Sequence, residues 1–407
     1  MNSSLNRWVV AAAAVVMQAG LGSFYAWSVF REPLSSLYGA NVTDVNVAFF
    51  LASFTFGIAS FGAGLLLRWV DPRVVGALGG ILYGLGVFLA SFAEESLPVL
   101  YLSYGLIAAV GLGLGYVAPV VVLPRWFPER PGLAYGIAVL GFGAGPTIGA
   151  PLATVLISST GGPLSAFGIL GPAYAVVVGG AALLLKNPHG DHELGRREAE
   201  RGDGKTEVAT QVWDFRGALK TWQWYAMWAM FFLSTTAGLA VYSDAQAMAA
   251  SIGGGTATLA SAFVVLMAMA DTTGRLFWPA ISDYVGARNV FLTMFLLQGA
   301  SFFLLPVLGS GSFVLFSVLL FVVLTCYGGG YGTIPALVDA YYGRGDIGTI
   351  YASIVIASGA AGFGAPVLLA RSADATGSYD PALYASAGLM LVGALIPLLL
   401  RPPGPPR

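Results

Sequence analysis

The sequence predicts an all-α membrane protein whose twelve transmembrane helices form two parallel six-helix repeats. Three observations carry that expectation. Of 407 residues, 57% are hydrophobic and only 10% charged, with a mean hydropathy of +0.77, whereas a soluble globular chain carries roughly a quarter charged residues. Twelve apolar segments reach the ~20 residues that cross ~30 Å of hydrocarbon. The second half of the chain also repeats motifs of the first.

The segments begin near Trp8, Val45, Val74, Pro98, Leu133, Ser165, Trp222, Ala257, Asn289, Ser312, Ile347 and Tyr384. Arg7 ahead of the run Trp8 to Phe30 resembles the start of a signal peptide. That run is too long for a cleaved apolar region, so it is read as a retained first span. The polar stretch from Lys186 to Lys220 separates six spans from six. It divides the chain into an N-terminal bundle (1–186), a linker (187–220) and a C-terminal bundle (221–407). Lys and Arg concentrate in loops on one side, including Arg7, Arg68, Arg73, Arg125, Arg130, Arg288, Arg344 and the linker, with Arg31 and Arg371 opposite. Because cytoplasmic loops carry that excess, both termini and the linker are expected in the cytoplasm, with the protein integral to the plasma (cell inner) membrane.

Internal register follows from the motifs themselves. Gly113-Leu114-Gly115-Tyr116 recurs as Gly328-Gly329-Gly330-Tyr331, and Gly149-Ala150-Pro151 as Gly364-Ala365-Pro366, each 215 positions on (328 against 113). Arg68 to Arg73 falls opposite Asp283 to Arg288 at the same offset, and Gly132 to Tyr135 pairs with Gly348 to Tyr351 one residue further on. Six spans per repeat make the halves parallel, and transporters built so place the substrate near the midplane between them.

Asp271 and Arg275 stand out against this symmetry. They lie four residues apart in the apolar run Ala257 to Ile281, and their counterparts in the first half are Phe56 and Ser60. Residues four apart share a helix face. If Asp283 marks the membrane boundary, a rise of ~1.5 Å per residue puts Arg275 ~12 Å and Asp271 ~18 Å inside. A charge so deep costs from ~2.5 to more than ~10 kcal/mol and marks a functional site by default. A permanently charged guanidinium binds a carboxylate bidentately. The carboxylate beside it is pulled toward protonation by burial and away from it by the cation. Asp271 is therefore the candidate proton carrier and Arg275 the candidate anion anchor.

Other features carry less. Tyr101, Tyr104, Tyr225 and Tyr384 lie near span ends and read as interfacial belt residues. Asp244 and Asp339 read as interface residues, and His189 and His192 as solvated. The glycine runs Gly111 to Gly115 and Gly141 to Gly145 read as close helix packing, since no nucleotide motif follows them. Cys326 is the single cysteine, so no internal disulfide is possible. Asn41-Val42-Thr43 matches a glycosylation sequon. No metal ligands, cofactor motif or catalytic constellation is apparent. A net charge of -1 with topologically distributed basic residues points to no nucleic acid partner, and no obligate protein partner is evident.

Gly274-Arg275 followed by Ser282-Asp283-Tyr284-Val285-Gly286-Ala287-Arg288 resembles the loop signature of the major facilitator superfamily. In that family a carboxylate, a glycine and basic residues clamp adjacent helices. The first-half copy departs from the pattern, with Arg68 where the acid is expected and Asp71 where the glycine is expected. Asn6-Arg7-Trp8, Arg125-Trp126-Phe127-Pro128 and the fifth-span glycines resemble the oxalate/formate antiporter family. Asp271 three residues before Gly274-Arg275 resembles the proton-coupled monocarboxylate transporters. This resemblance implies Arg275 as carboxylate anchor, and it puts Tyr25, Tyr116, Tyr327 and Tyr331 where the oxalate transporter lines its cavity. The lysine that family carries in the eleventh span is absent; its position is Ile354 here.

The resulting expectation is a symporter that moves a proton with a small monocarboxylate such as L-lactate or pyruvate by alternating access. An oxalate/formate-type exchanger is the rival. A receptor or enzyme on the same scaffold is disfavoured by the missing catalytic groups.

Overall fold

In the computed structural model, which describes residues 6–94, 96–188, 212–251, 257–309, 311–376 and 378–404, the apolar segments fold as twelve long helices. They are α1 (Arg7–Val29), α2 (Val42–Leu66), α3 (Pro72–Phe92), α4 (Leu97–Trp126), α5 (Pro131–Ser159) and α6 (Pro163–Ala182), then α7 (Trp222–Ser251), α8 (Ala257–Val285), α9 (Ala287–Gly309), α10 (Phe313–Tyr342), α11 (Ile347–Thr376) and α12 (Asp380–Leu399). Among the described residues, nine are apolar and long enough to cross a membrane. The other three, α7, α8 and α11, have 30, 29 and 30 residues. His189, His192, most of the linker, and the side chains of Asp244 and Arg371 lie outside the described residues.

Local chemistry sets the helix ends. Asn6 accepts the Trp8 N–H at 3.0 Å, and Asp71 accepts the Arg73 N–H at 2.9 Å, satisfying donors that a helix start leaves orphaned. Pro72, Pro131 and Pro163 open α3, α5 and α6, where a missing N–H is harmless. Gly286, with φ 83°, turns the chain from α8 into α9. The C-terminal part of α1 tightens to a 3-10 helix over Ser23–Val29, the stretch that carries Tyr25.

α3 packs on α4 and α6, and α9 on α10 and α12, each within its own set of six. Contact between the two sets is made chiefly by α2 on α11 and α5 on α8. The expected repeat symmetry relates these two seams. Tyr104 corrects the reading of span-end tyrosines as a belt. It is 5% exposed, stacks near Phe24, Trp27 and Phe167, and donates to the Phe24 carbonyl at 3.4 Å. Its place is inside the bundle, where a ring outweighs its one satisfied hydroxyl.

At the end of the bundle that holds the linker, each seam is closed by a carboxylate at a helix start, and the polarity of the partners is reversed between them. Asp283, on α8, accepts the N–H groups of Gly132 at 2.6 Å and Leu133 at 3.0 Å in the first turn of α5. At the symmetry-related seam Arg68 replaces the acid, and the carboxylate comes instead from Asp346, which precedes α11. Arg68 Nε donates to Asp346 Oδ1 at 2.9 Å, and its Nη2 to Oδ2. That hydrogen bond, reinforced by the field of the carboxylate, holds the guanidinium above its usual pKa. Both loops clamp, so the departure noted in the first-half motif is compensated from the other half of the chain. Anions are favoured at helix N-termini by the peptide dipoles.

The last part of the linker is built into the second latch. Phe215 N–H donates to Asp346 Oδ2 at 2.8 Å, and the Phe215 ring meets Phe61 of α2 at 5.3 Å. Trp213 N–H donates to the Tyr342 carbonyl at 3.1 Å. Removing both latches with Asp283→Asn and Asp346→Asn should open this end of the bundle. Spin labels replacing the exposed Trp69 and Tyr284 should then report a longer distance, with the open population raised on the order of tenfold or more. A distance distribution identical to that of the parent would show that the latches do not hold the halves together.

Candidate functional site

Asp271 and Arg275 are both 0% exposed and close on one another: Nε donates to Oδ1 at 3.0 Å and Nη2 to Oδ2 at 3.2 Å. The third guanidinium nitrogen, Nη1, has no hydrogen-bond partner although it is buried. The pair is held in place by glycines. α10 crosses α8 with Gly328 against Asp271, Gly329 against Trp278 and Gly332 against Pro279. From the other half, Gly143 of α5 lies so close that a Cβ there would stand 2.9 Å from Arg275 Nε and 3.0 Å from the Thr272 Cα. The glycine-rich segments thus serve backbone approach, and what they approach is the charged pair.

Aromatic rings from both halves enclose the guanidinium. Arg275 Cζ lies 4.6 Å from the Tyr331 ring of α10 and 5.3 Å from the Phe142 ring of α5, a geometry in which ring quadrupoles attract a cation. Phe142 also meets Tyr116 at 5.2 Å, Tyr25 at 5.5 Å and Phe56 at 6.2 Å. A chain of hydroxyls runs beside it. Tyr25 and Tyr327 are 3.0 Å apart, Tyr327 and Tyr331 3.5 Å, and Tyr331 and Ser358 2.5 Å. Tyr351 donates to Tyr116 at 3.2 Å, joining α11 to α4.

All six residues singled out from sequence, Asp271, Arg275, Tyr25, Tyr116, Tyr327 and Tyr331, therefore meet in one cluster between the halves. Ile354 is fully buried on α11, and its spacing from Tyr351 and Ser358 puts it on their helix face. Four contributors escaped the sequence reading: Phe142, Tyr242, Tyr351 and Ser358. Phe142 is flanked by Gly141 and Gly143, and Tyr351 is the repeat partner of Tyr135, so both carried a signal. Tyr242, which stacks on Tyr25 with centroids 6.0 Å apart, and Ser358 carried none. Asp339 accepts from Tyr135 at 3.1 Å and Arg344 at 3.0 Å, away from this cluster.

Such a site offers one fixed cation, one carboxylate able to take a proton, donor hydroxyls, and flat apolar walls. It suits a small organic anion. Among the described residues no group of His, Cys, Asp and Glu is placed to hold a metal ion. A Cβ at Gly328 would run into Asp271 O and Oδ1, so Gly328→Ala should displace the acid and abolish transport. Gly62→Ala, at a position with open space around it, should leave transport unchanged. Equal activity of the two variants in reconstituted vesicles would contradict the packing argument.

Residues 10–366 match the family model described as the Major Facilitator Superfamily. The oxalate:formate antiporter of Oxalobacter formigenes is 25% identical over 341 residues, which cover 83% of this chain and 78% of that protein. Apicoplast pyruvate carrier 1 of Toxoplasma gondii is 24% identical over 367 residues, covering 77% and 67%. In fold, the chain is similar to the crystal structure of the Major Facilitator Superfamily transporter FucP in the outward conformation, with a TM-score of 0.66 at 16% identity over 96% of this chain and 97% of that one. With the match running from α1 into α11, the chain belongs to the Major Facilitator Superfamily and is an integral membrane transporter, not an enzyme.

Proposed function

We propose that the protein is a proton-coupled symporter of small monocarboxylates such as L-lactate or pyruvate, with the linker end facing the cytoplasm. The observation that carries this reading is the closed, fully buried Asp271–Arg275 pair. Empty and unprotonated, the pair is neutral. Protonated on Asp271 and loaded with a carboxylate on Arg275, the site is neutral again. With only the proton or only the anion it carries a net charge in a low-dielectric setting, a state penalised by several kcal/mol. Two states can therefore rock between the sides, and together they move one proton with one anion.

The same arithmetic separates symport from exchange. An exchanger must not return empty, and a lone arginine would forbid that return. Here Asp271 neutralises the empty site, so the empty carrier can reorient. Ile354, where the resemblance to the oxalate family leads one to expect a second cation, also leaves a dianion with one partner only. The unpartnered Nη1 of Arg275 is the donor that a bound carboxylate would satisfy. The Toxoplasma relative, named a pyruvate carrier, supports the same substrate class.

Asp271→Asn should abolish accumulation driven by a pH gradient while retaining exchange of substrate across the membrane. Uphill, pH-dependent uptake by that variant in proteoliposomes would remove Asp271 from proton coupling. Arg275→Lys keeps the charge but not the planar fork, and apparent affinity should fall on the order of a hundredfold. Parental affinity in that variant would remove Arg275 from the site.

A further inference from the structure

Ser60 is the repeat partner of Arg275, 215 positions earlier. Symmetry sets it at the same depth on α2, the repeat counterpart of α8. It is 0% exposed, and its hydroxyl has no hydrogen-bond partner of any kind. A helical hydroxyl ordinarily bonds back to a carbonyl of the preceding turn; Ser60 shares the lack of such a bond with Ser234, Ser317 and Thr333, and on α2 it is the one next to Phe56. Ser53, on the same helix, bonds back to Phe49 at 2.8 Å, and Thr272 on α8 to Ala268 at 2.7 Å. Phe56, one turn before Ser60 and on its face, contacts Tyr116 at 5.1 Å and the same Phe142 ring that covers Arg275. Two buried polar groups without partners thus belong to one aromatic cluster: Arg275, whose guanidinium the Phe142 ring covers, and Ser60, one turn from the Phe56 that meets that same ring.

Buried polar groups are almost always satisfied, and an exception calls for an occupant. One ligand satisfies both. A carboxylate accepts from Arg275, and an oxygen on the adjacent carbon meets Ser60. A serine hydroxyl both donates and accepts, so it pairs with a 2-oxo group or with a 2-hydroxyl group alike. We propose that Ser60 is a specificity-determining residue that recognises the oxygen on carbon 2 of a 2-hydroxy or 2-oxo monocarboxylate held by Arg275. This inference rests on the carboxylate reading of the site. It adds the selection of oxygenated acids over plain fatty acids, and it assigns a substrate contact to the first half of the chain.

Lactate, pyruvate and propionate share a three-carbon skeleton and differ only at carbon 2, so they form the test set. Purified protein is titrated with each acid, and binding is read from thermal stabilisation. The parent should bind lactate and pyruvate on the order of tenfold more tightly than propionate, the contribution of about one hydrogen bond. In Ser60→Ala that ratio should collapse to about one, with propionate affinity unchanged. Ser53→Ala, whose hydroxyl is already bonded to the backbone, should keep the parental ratio. Retained discrimination in Ser60→Ala overturns the inference while leaving the carboxylate reading intact, provided that Arg275→Lys abolishes stabilisation by all three acids. Failure of all three to stabilise the parent overturns both.

Discussion

Everything in the centre of this protein is arranged around the cost of keeping Asp271 and Arg275 away from water. Both side chains are fully buried and hydrogen-bonded to each other, and a buried ion pair is at best a weak source of stability. The surrounding structure accommodates them nonetheless. Glycines on α5 and α10 bring two backbones against the pair, and rings from both halves cover the guanidinium. Uncharged residues serve the fold at lower cost, as Phe56 and Ser60 show at the related positions. The pair is retained on a scaffold that does not require it.

That asymmetry of chemistry on a symmetric frame recurs at the linker end. Both seams between the halves are closed at a helix start, one by Asp283 on the N–H groups of α5 and the other by Arg68 on Asp346. The charges are exchanged between the two seams while the contact is conserved. Latch and site are joined by continuous helices: α8 carries Asp271, Arg275 and Asp283, and α11 carries Tyr351 and Ser358 a few turns from Asp346. On the proposed reading, a change in the charge state of the centre acts on elements whose ends hold the latches, the physical link that alternating access requires.

Much of this was legible in the sequence because membrane burial makes polar residues conspicuous. Two charges in an apolar run mark themselves, and the 215-residue repeat located Tyr116 and Tyr331 together. What stayed hidden was what resembles the background. Phe142 is one of 25 phenylalanines; its flanking glycines mark a close helix approach, and only the structure shows that the group it covers is Arg275. Tyr104 was placed at the interface because it lies near a span end, yet its neighbours come from α1 and α6, a contact no local pattern encodes. Arg68 was visible as a departure from the loop motif. Its compensation was not, because Asp346 lies 278 residues away and nothing in its surroundings announces an ion pair.

The central claim is that the buried pair couples one proton to one carboxylate. Uptake of radiolabelled lactate or pyruvate into proteoliposomes, with and without an imposed inward proton gradient, tests it most directly. Accumulation above the external concentration that scales with the gradient is the predicted result. Equal uptake under both conditions would contradict the account.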